Sequence, residues 1–68
     1  MLKQLRNARL SAGLTQKKMG ELLGLTMAGY RQKEIGQRRI TIDEAQAIAK
    51  LLNKSLDDIF LDEINQND

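Results

Sequence analysis

The chain has 68 residues with no Cys and no His, and its 11 basic and 9 acidic side chains leave a net charge of +2. This length provides one hydrophobic core and a single domain. The composition excludes disulfides, thiolate or imidazole metal sites and Cys- or His-based catalysis, so we expect neither an enzyme nor a bound cofactor. There is no membrane-spanning apolar run and no signal-peptide pattern, and the expectation is a cytoplasmic protein that does not enter membranes.

The charges are distributed unevenly along the chain. Residues 1–39 carry nine basic and two acidic side chains, a balance of +7, whereas residues 40–68 carry two basic and seven acidic ones, a balance of −5. A basic half of this kind favours an anionic partner, and the acidic half is expected to face away from that partner. The asymmetry is the first indication of function.

Three helices are predicted in the basic half, at residues 2–12, 16–23 and 27–35. Their apolar residues recur at three- and four-residue spacing and comprise Leu2, Leu5, Ala8 and Ala12 in the first helix and Met19, Leu22 and Leu23 in the second. Thr15 and Thr26 are the expected N-caps of the second and third helices. Each of the three helices is followed by a glycine that can form a left-handed C-cap, at Gly13, Gly24 and Gly36.

Two more helices are predicted in the acidic half. Thr41 and Glu44 have the spacing of a capping box, which predicts the start of a fourth helix. Its buried stripe is expected at Ala45, Ile48, Ala49 and Leu52, and Asn53 is the expected C-cap. Ser55 begins a short fifth helix with Leu56, Ile59 and Phe60, and the polar, acidic residues 61–68 are expected to fray. No window alternates with a period of two, so the predicted fold class is all-α with five helices.

Residues 16–35 have the spacing of a DNA-binding helix-turn-helix. Gly20 allows the two helices to approach closely, and Gly24 supplies the positive φ that the turn requires. The apolar residues that lock the helices together are Met19, Leu23, Leu25 and Tyr30. Thr26 caps the second helix of the pair and directs its N-terminus outward, where it can enter the major groove.

Residues 2–61 resemble the Cro/CI-type (Xre-family) helix-turn-helix domain of phage and bacterial repressors. The matching positions are Arg9, Gly13-Leu14-Thr15-Gln16, Gly20, Leu23-Gly24-Leu25-Thr26, Glu34, Gly36, Ile48-Ala49, Leu52 and Ser55-Leu56-Asp57-Asp58-Ile59-Phe60. The resemblance implies a five-helix, lambda-repressor-like domain at residues 1–61 and an acidic tail at residues 62–68. It also implies that double-stranded DNA is the partner and that the protein is a sequence-specific transcriptional regulator, a repressor of phage or mobile-element type.

The resemblance further implies which residues face the DNA bases. The groove-facing surface of the third helix would comprise Met27, Ala28, Gly29, Arg31 and Gln32. Gln32 has the groups to pair with adenine, and Arg31 can bind either guanine or a phosphate. Met27 and Ala28 can touch thymine methyl groups, while Gly29 lets the helix backbone approach closely.

Phosphate contacts are expected on both sides of that helix. Gln16 matches a position whose side chain and backbone amide meet a phosphate in the family. Arg38 and Arg39 match the loop that follows the recognition helix along the DNA backbone. Lys17 and Lys18 flank the helix as well, and the alternative for all four basic residues is an ordinary solvated surface.

Three charged residues of the basic half have expected roles inside the domain. Arg9 and Glu34 match a pair that ties the first helix to the third, although two unrelated surface charges are the alternative. The position of Lys33 is usually apolar in the family. The stem of Lys33 is therefore expected to cover the core while its ammonium reaches solvent or a phosphate.

Partners other than DNA concern the acidic half. Its face, formed by Asp57, Asp58, Asp62 and Glu63, either repels DNA or binds a protein. Leu61 and Ile64 either form a homodimer patch with Phe60 or fold back onto the core of their own chain. Two alternative functions stay open: the antitoxin of a toxin–antitoxin pair, with the same DNA-binding domain, and a helical protein-interaction module.

Overall fold

Five helices make up most of the computed structural model, which describes residues 2–64 and the side-chain surroundings of residues 2–60. The helices are α1 (Lys3–Ser11), α2 (Gln16–Leu23), α3 (Met27–Glu34), α4 (Ile42–Leu52) and α5 (Leu56–Ile64). The described residues form no strand, and the predicted all-α fold with five helices is confirmed. The most extensive helix contact joins α2 to α3, while α5 packs on α1 and α4. No helix in this part of the chain has the length and hydropathy of a membrane span.

The helix starts follow local side-chain chemistry. The hydroxyls of Thr15 and Thr26 each accept a hydrogen bond from the amide three residues later, at 3.0 and 2.9 Å. At α4 the capping box is complete, because Thr41 Oγ1 accepts from the Glu44 amide at 3.1 Å and the Glu44 carboxylate accepts from the Thr41 amide at 3.0 Å. A threonine cap of this kind contributes about 1 kcal/mol by satisfying amides that the helix leaves unpaired.

The helix ends use left-handed residues, as predicted. Gly24 follows α2 with φ 73° and ψ 26°, a conformation that residues with a Cβ rarely adopt. Asn53 follows α4 with φ 55° and ψ 45°. Gly13 and Gly36 also have positive φ, so the left-handed glycines predicted after the first three helices are confirmed, although α1 ends at Ser11, one residue earlier than predicted. α3 ends one residue earlier than predicted, with Ile35 as its C-cap.

The core is formed by side chains from all five helices. Its buried members are Leu5, Met19, Tyr30, Ile48, Ala49, Leu52, Ile59 and Phe60. The predicted burial of two apolar residues is wrong, since Leu22 is 45% exposed and Ala12 is exposed as well. α2 packs through its Met19–Gly20–Leu23 face, about a quarter of a turn away from Leu22. Ala12 is the C-cap of α1 and lies beyond its last turn.

The fifth helix is longer than the sequence predicts. α5 runs Leu56–Ile64, so the predicted boundary between domain and tail at residue 61 falls inside a helix. The error arose because the acidic composition after Phe60 favours fraying, yet residues 61–64 include no glycine or proline to stop the helix. The predictions for the side chains of Leu61, Asp62, Glu63 and Ile64, and for residues 65–68, fall outside the described residues.

Candidate nucleic-acid interface

α2 and α3 meet at a turn that leaves no room for a side chain at Gly20. A Cβ there would lie 2.9 Å from the Thr26 carbonyl oxygen and 3.0 Å from the Leu25 carbonyl oxygen, both of them backbone atoms. The Leu25 amide also donates a hydrogen bond to the Gly20 carbonyl at 2.7 Å. The small residue and the left-handed turn at Gly24 thus occur where the sequence predicts them, and they fix the angle between the two helices.

The N-terminus of α3 is built by Thr26 and Gly29. Thr26 Oγ1 accepts a hydrogen bond from the Gly29 amide at 2.9 Å, and a Cβ added at Gly29 would lie only 3.1 Å from the same oxygen. Glycine costs about 1 kcal/mol of helix propensity relative to alanine. The sequence predicts close approach to DNA at Gly29, and the fit of glycine beneath the cap is a second reason for glycine at this position.

One face of α3 points away from the core. Its exposed residues are Met27, Ala28 and Arg31, and its partly buried ones are Gly29 and Gln32. Met27 is 53% exposed although it is a large apolar residue. Tyr30 and Glu34 of the same helix are fully buried. The helix is therefore anchored to the core through these two side chains, and the five residues predicted to face DNA are exposed or only partly buried.

A buried carboxylate joins three helices beneath this surface. Glu34 accepts hydrogen bonds from Arg9 Nε at 2.7 Å, Arg9 Nη2 at 3.2 Å, Tyr30 Oη at 2.8 Å and Gln16 Nε2 at 2.8 Å. Arg9 also donates from Nη1 to the Leu14 carbonyl at 2.8 Å. The Arg9–Glu34 pair is thus a buried ion pair, and the alternative of two unrelated surface charges is wrong. It ties α1, the start of α2 and the end of α3 together.

The donors around Glu34 determine its ionisation. Burial alone would raise the pKa of Glu34, but the hydrogen bonds from Arg9, Gln16 and Tyr30 outweigh burial, so the pKa lies below its ordinary value of 4.5. Burial, and then the hydrogen bond to Glu34, raise the pKa of Tyr30, which therefore stays a neutral donor. At neutral pH Glu34 is a charged acceptor whose partners are all donors. Because desolvation offsets much of the attraction, we expect the pair to orient the helices more than it stabilises the fold.

Exposed basic side chains lie on both sides of α3. Lys17 and Lys18 occupy the first turn of α2, and Arg38 and Arg39 occupy the loop before α4. Lys18 Nζ lies 3.9 Å from the Glu21 carboxylate, and both side chains are 56% exposed. A contact of this length in solvent is too weak to hold the lysine in place. These four cations belong to the segments that precede and follow α3, and all four are exposed and accessible to a polyanion.

Two residues predicted to meet phosphates are engaged inside the protein. Lys33 is only 9% exposed, and its Nζ donates to Glu44 Oε1 at 2.9 Å and to the Arg39 carbonyl at 3.0 Å. The prediction that this ammonium reaches solvent or a phosphate is wrong, because a carboxylate of α4 lies within reach of the lysine stem. Gln16 uses one amide N–H on Glu34, which leaves the second N–H of that group for a phosphate.

A profile of the helix-turn-helix family, of the Xre/Cro/CI type, matches residues 5–59, which is most of the chain. The chain belongs to this helix-turn-helix family. The search of curated proteins and the search of solved structures gave no significant match. As a member of the family, the helix-turn-helix protein is a DNA-binding domain of the transcription-regulator type. The match extends from α1 into α5, in agreement with a lambda-repressor-like fold.

Two polar contacts between distant residues of the helix-turn-helix protein were not predicted from the sequence, whereas the Arg9–Glu34 pair was expected from the family resemblance. Gln16 and Glu34 are 18 positions apart, and Lys33 and Glu44 are 11 apart, so no regular spacing connects them. The hydrogen bond between Tyr30 and Glu34 does follow a regular spacing, because residues four apart face each other on a helix. That contact could have been predicted from the spacing.

Proposed function

We propose that this helix-turn-helix protein recognises a specific sequence of double-stranded DNA and represses transcription, as regulators of phage or mobile-element type do. The observation that carries the proposal is the two-sided construction of α3, which is fixed to the core by Tyr30 and Glu34 and exposed at Met27, Ala28 and Arg31. A rigid helix with a free face fits the major groove, which is about 12 Å wide. Its N-terminal turn would then meet the base edges.

The chemistry of that face limits what it can read. Gln32 can donate to and accept from the edge of adenine, and Arg31 can bind guanine or a phosphate. Met27 and Ala28 offer apolar contacts to thymine methyl groups but no hydrogen bonds. Gly29 has no side chain and therefore lets the helix backbone approach the bases closely. The set favours a half-site with A·T pairs under the first turn of α3 and one position read through Gln32.

The phosphate contacts are assigned to residues on either side of α3. They comprise Gln16, Lys17 and Lys18 at the start of α2, and Arg38 and Arg39 in the loop before α4. Such contacts set the register of the protein on the duplex and carry no sequence information themselves. Each cation that neutralises a phosphate adds about 0.9 to the slope of log affinity against log salt concentration.

An exposed apolar groove supports a homodimer. The groove has a volume of about 440 Å³; its apolar lining consists of Leu2, Ile40, Ile42, Ala45, Leu56 and Phe60, and Lys33, Gly36, Arg38 and Arg39 line the rest. A second copy that leaves the two arginines free for DNA would therefore cover the Ile42 and Leu56 side of the groove. Ile42 is 73% exposed and Leu56 is 38% exposed, so contact with a second copy would remove apolar surface from water. A two-fold dimer would place two α3 helices about 34 Å apart and would read an inverted repeat.

Selection of binding sites from randomised duplex tests the proposal. The wild-type chain is expected to enrich an inverted repeat of two half-sites. Gln32→Ala should relax the preference at one position of each half-site, whereas Gln46→Ala, an exposed glutamine on α4, should leave the motif unchanged. If folded protein enriches no motif at low salt, sequence-specific binding is excluded. A single half-site would contradict the dimer, and uniform weakening by Gln32→Ala would show that Gln32 does not read a base.

A further inference from the structure

Lys33 occupies an unusual place for a lysine. It lies in the last turn of α3, its side chain is 11% exposed, and its ammonium forms an ion pair of 2.9 Å with Glu44 Oε1. The same ammonium donates to the Arg39 carbonyl at 3.0 Å. One charged group therefore connects the end of the recognition helix, the first turn of α4 and the loop between them.

The partner of Lys33 is itself held in place. The Glu44 carboxylate accepts from the Thr41 amide at 3.0 Å as part of the capping box of α4. That backbone hydrogen bond, and then the bond from Lys33, lower the pKa of Glu44, so the carboxylate is charged at neutral pH. Because Glu44 is fixed to a helix N-terminus, the Lys33 ammonium is anchored to a rigid element rather than to a mobile surface group.

Lys33 donates a hydrogen bond to the loop of residues 36–41, which carries two exposed arginines. Its beginning is fixed by the Gln32 carbonyl, which accepts from the amides of Gln37 at 2.8 Å and Arg38 at 3.1 Å. Near its end, the Arg39 carbonyl accepts a hydrogen bond from the Lys33 ammonium. Arg38 and Arg39 thus lie on a segment that is held at both ends next to α3.

We propose that Lys33 is a positioning residue, which holds the 36–41 loop so that Arg38 and Arg39 are prearranged for phosphates beside the recognition helix. This inference rests on the proposed DNA contacts of the two arginines. A loop that is ordered before binding does not have to be ordered by the DNA, so the tie raises affinity without touching the ligand. Lys33 acts on DNA through the arginines and not by its own charge.

A double-mutant cycle tests this role. Lys33→Met keeps the aliphatic stem in the core and removes the ammonium. We expect it to weaken binding to a labelled random-sequence duplex at low salt by roughly threefold to tenfold. In the Arg38→Gln/Arg39→Gln background the same change should have almost no further effect, since the groups it positions are gone. Lys50→Met, which removes an exposed lysine of α4, is the control for loss of one positive charge.

Glu44→Gln tests the role of Lys33 independently, because positioning and net charge predict opposite changes in DNA affinity. Glutamine can still complete the capping box, but it removes the negative charge that holds Lys33. If Lys33 positions the loop, Glu44→Gln weakens DNA binding even though the protein becomes more positive, and amide hydrogen exchange in residues 37–41 becomes faster. Tighter binding by Glu44→Gln would overturn the proposal, as would an effect of Lys33→Met that is equal in both backgrounds or no larger than that of Lys50→Met. Folded wild-type protein that binds no duplex would instead refute the proposed DNA contacts themselves.

Discussion

Glu34 is the residue on which the orientation of the recognition helix depends most directly. A carboxylate without solvent exposure loses its hydration, and only several donors together can offset that cost. Arg9 supplies two of its hydrogen bonds, and Gln16 and Tyr30 supply one each. The donors come from α1, α2 and α3, so loss of any one leaves a buried charge incompletely satisfied and loosens a helix junction.

Arg9→Ala should therefore lower the stability of the fold. Removing one partner of a buried ion pair typically costs about 3–5 kcal/mol, because the other charge is left buried and unpaired. Urea unfolding followed by circular dichroism measures the change. Arg6→Ala, on the exposed side of the same helix, should stay within about 0.5 kcal/mol of wild type. If Arg9→Ala kept full stability and lost only DNA affinity, Arg9 would be a phosphate contact instead.

The same cluster predicts a loss of stability in acid. The pKa of Glu34 is lower in the folded chain than its ordinary value of 4.5, so the unfolded state binds the proton more readily. The stabilisation from this group is complete above about pH 4.5 and is lost as the pH falls through the folded pKa. Free energies of unfolding measured from neutral pH to about pH 3 should decline more steeply in wild type than in Glu34→Gln. If the free energy of unfolding fell equally with pH in both proteins, Glu34 would not be the source of the pH dependence.

Among the secondary-structure elements, the starts of α2, α3 and α4 and the end of α2 were predictable because local chemistry determines them. The threonine N-caps at 15, 26 and 41, together with the glycines and the Asn53 that follow the helices, specify where the chain turns. Which face a helix buries is less local. Leu22 looked like a core residue by spacing, yet α2 turns its Gly20 side toward α3 and leaves Leu22 in solvent.

The angle between α2 and α3 gives a prediction at this scale. Gly20→Ala should destabilise the domain by about 1–3 kcal/mol, because the new Cβ would press on backbone oxygens that cannot rotate away. DNA affinity should fall with it, since the turn at Thr26 must shift. Glu21→Ala, the exposed neighbour, is the matched control and should change stability by less than about 0.5 kcal/mol. Wild-type stability in Gly20→Ala would contradict the close packing.

The candidate site was predictable only in part, for a physical reason. The exposed residues of α3 were expected from the family resemblance, and the inward position of Tyr30 supports them. The contacts in the interior of the site could not be predicted, since whether a lysine reaches a phosphate or a carboxylate depends on which helix folds against it. Lys33 pairs with Glu44 because the first turn of α4 comes within reach of the end of α3, and no spacing within the sequence encodes that approach.

For the whole molecule, the small net charge of +2 is the sum of two unlike halves. The basic half forms α1 to α3 and most of the following loop, with exposed cations at Lys17, Lys18, Arg31, Arg38 and Arg39. The acidic half forms α4 and α5, where Asp57 and Asp58 occupy the first turn of α5. Affinity for a polyanion should follow this distribution and not the net value.

Relocating one charge tests that expectation at constant composition. Arg38→Gln combined with Gln46→Arg moves a cation from the loop to α4 and keeps the net charge. The slope of log affinity against log salt concentration should drop by about 0.9, the contribution of one phosphate contact. The control, Lys50→Gln combined with Gln46→Lys, moves a cation within α4 and should leave the slope unchanged. Equal behaviour of the two pairs would show that only net charge matters.

We propose that the exposed face of α3 and the segments on either side of it form the surface that binds DNA. Amide correlation spectra of the isotope-labelled chain, titrated with the duplex obtained by selection, test it residue by residue. We expect the largest chemical-shift changes in residues 15–18, 27–32 and 36–41, with small changes along α4 and α5. Changes centred on α4 and α5, or spread evenly over the chain, would contradict it.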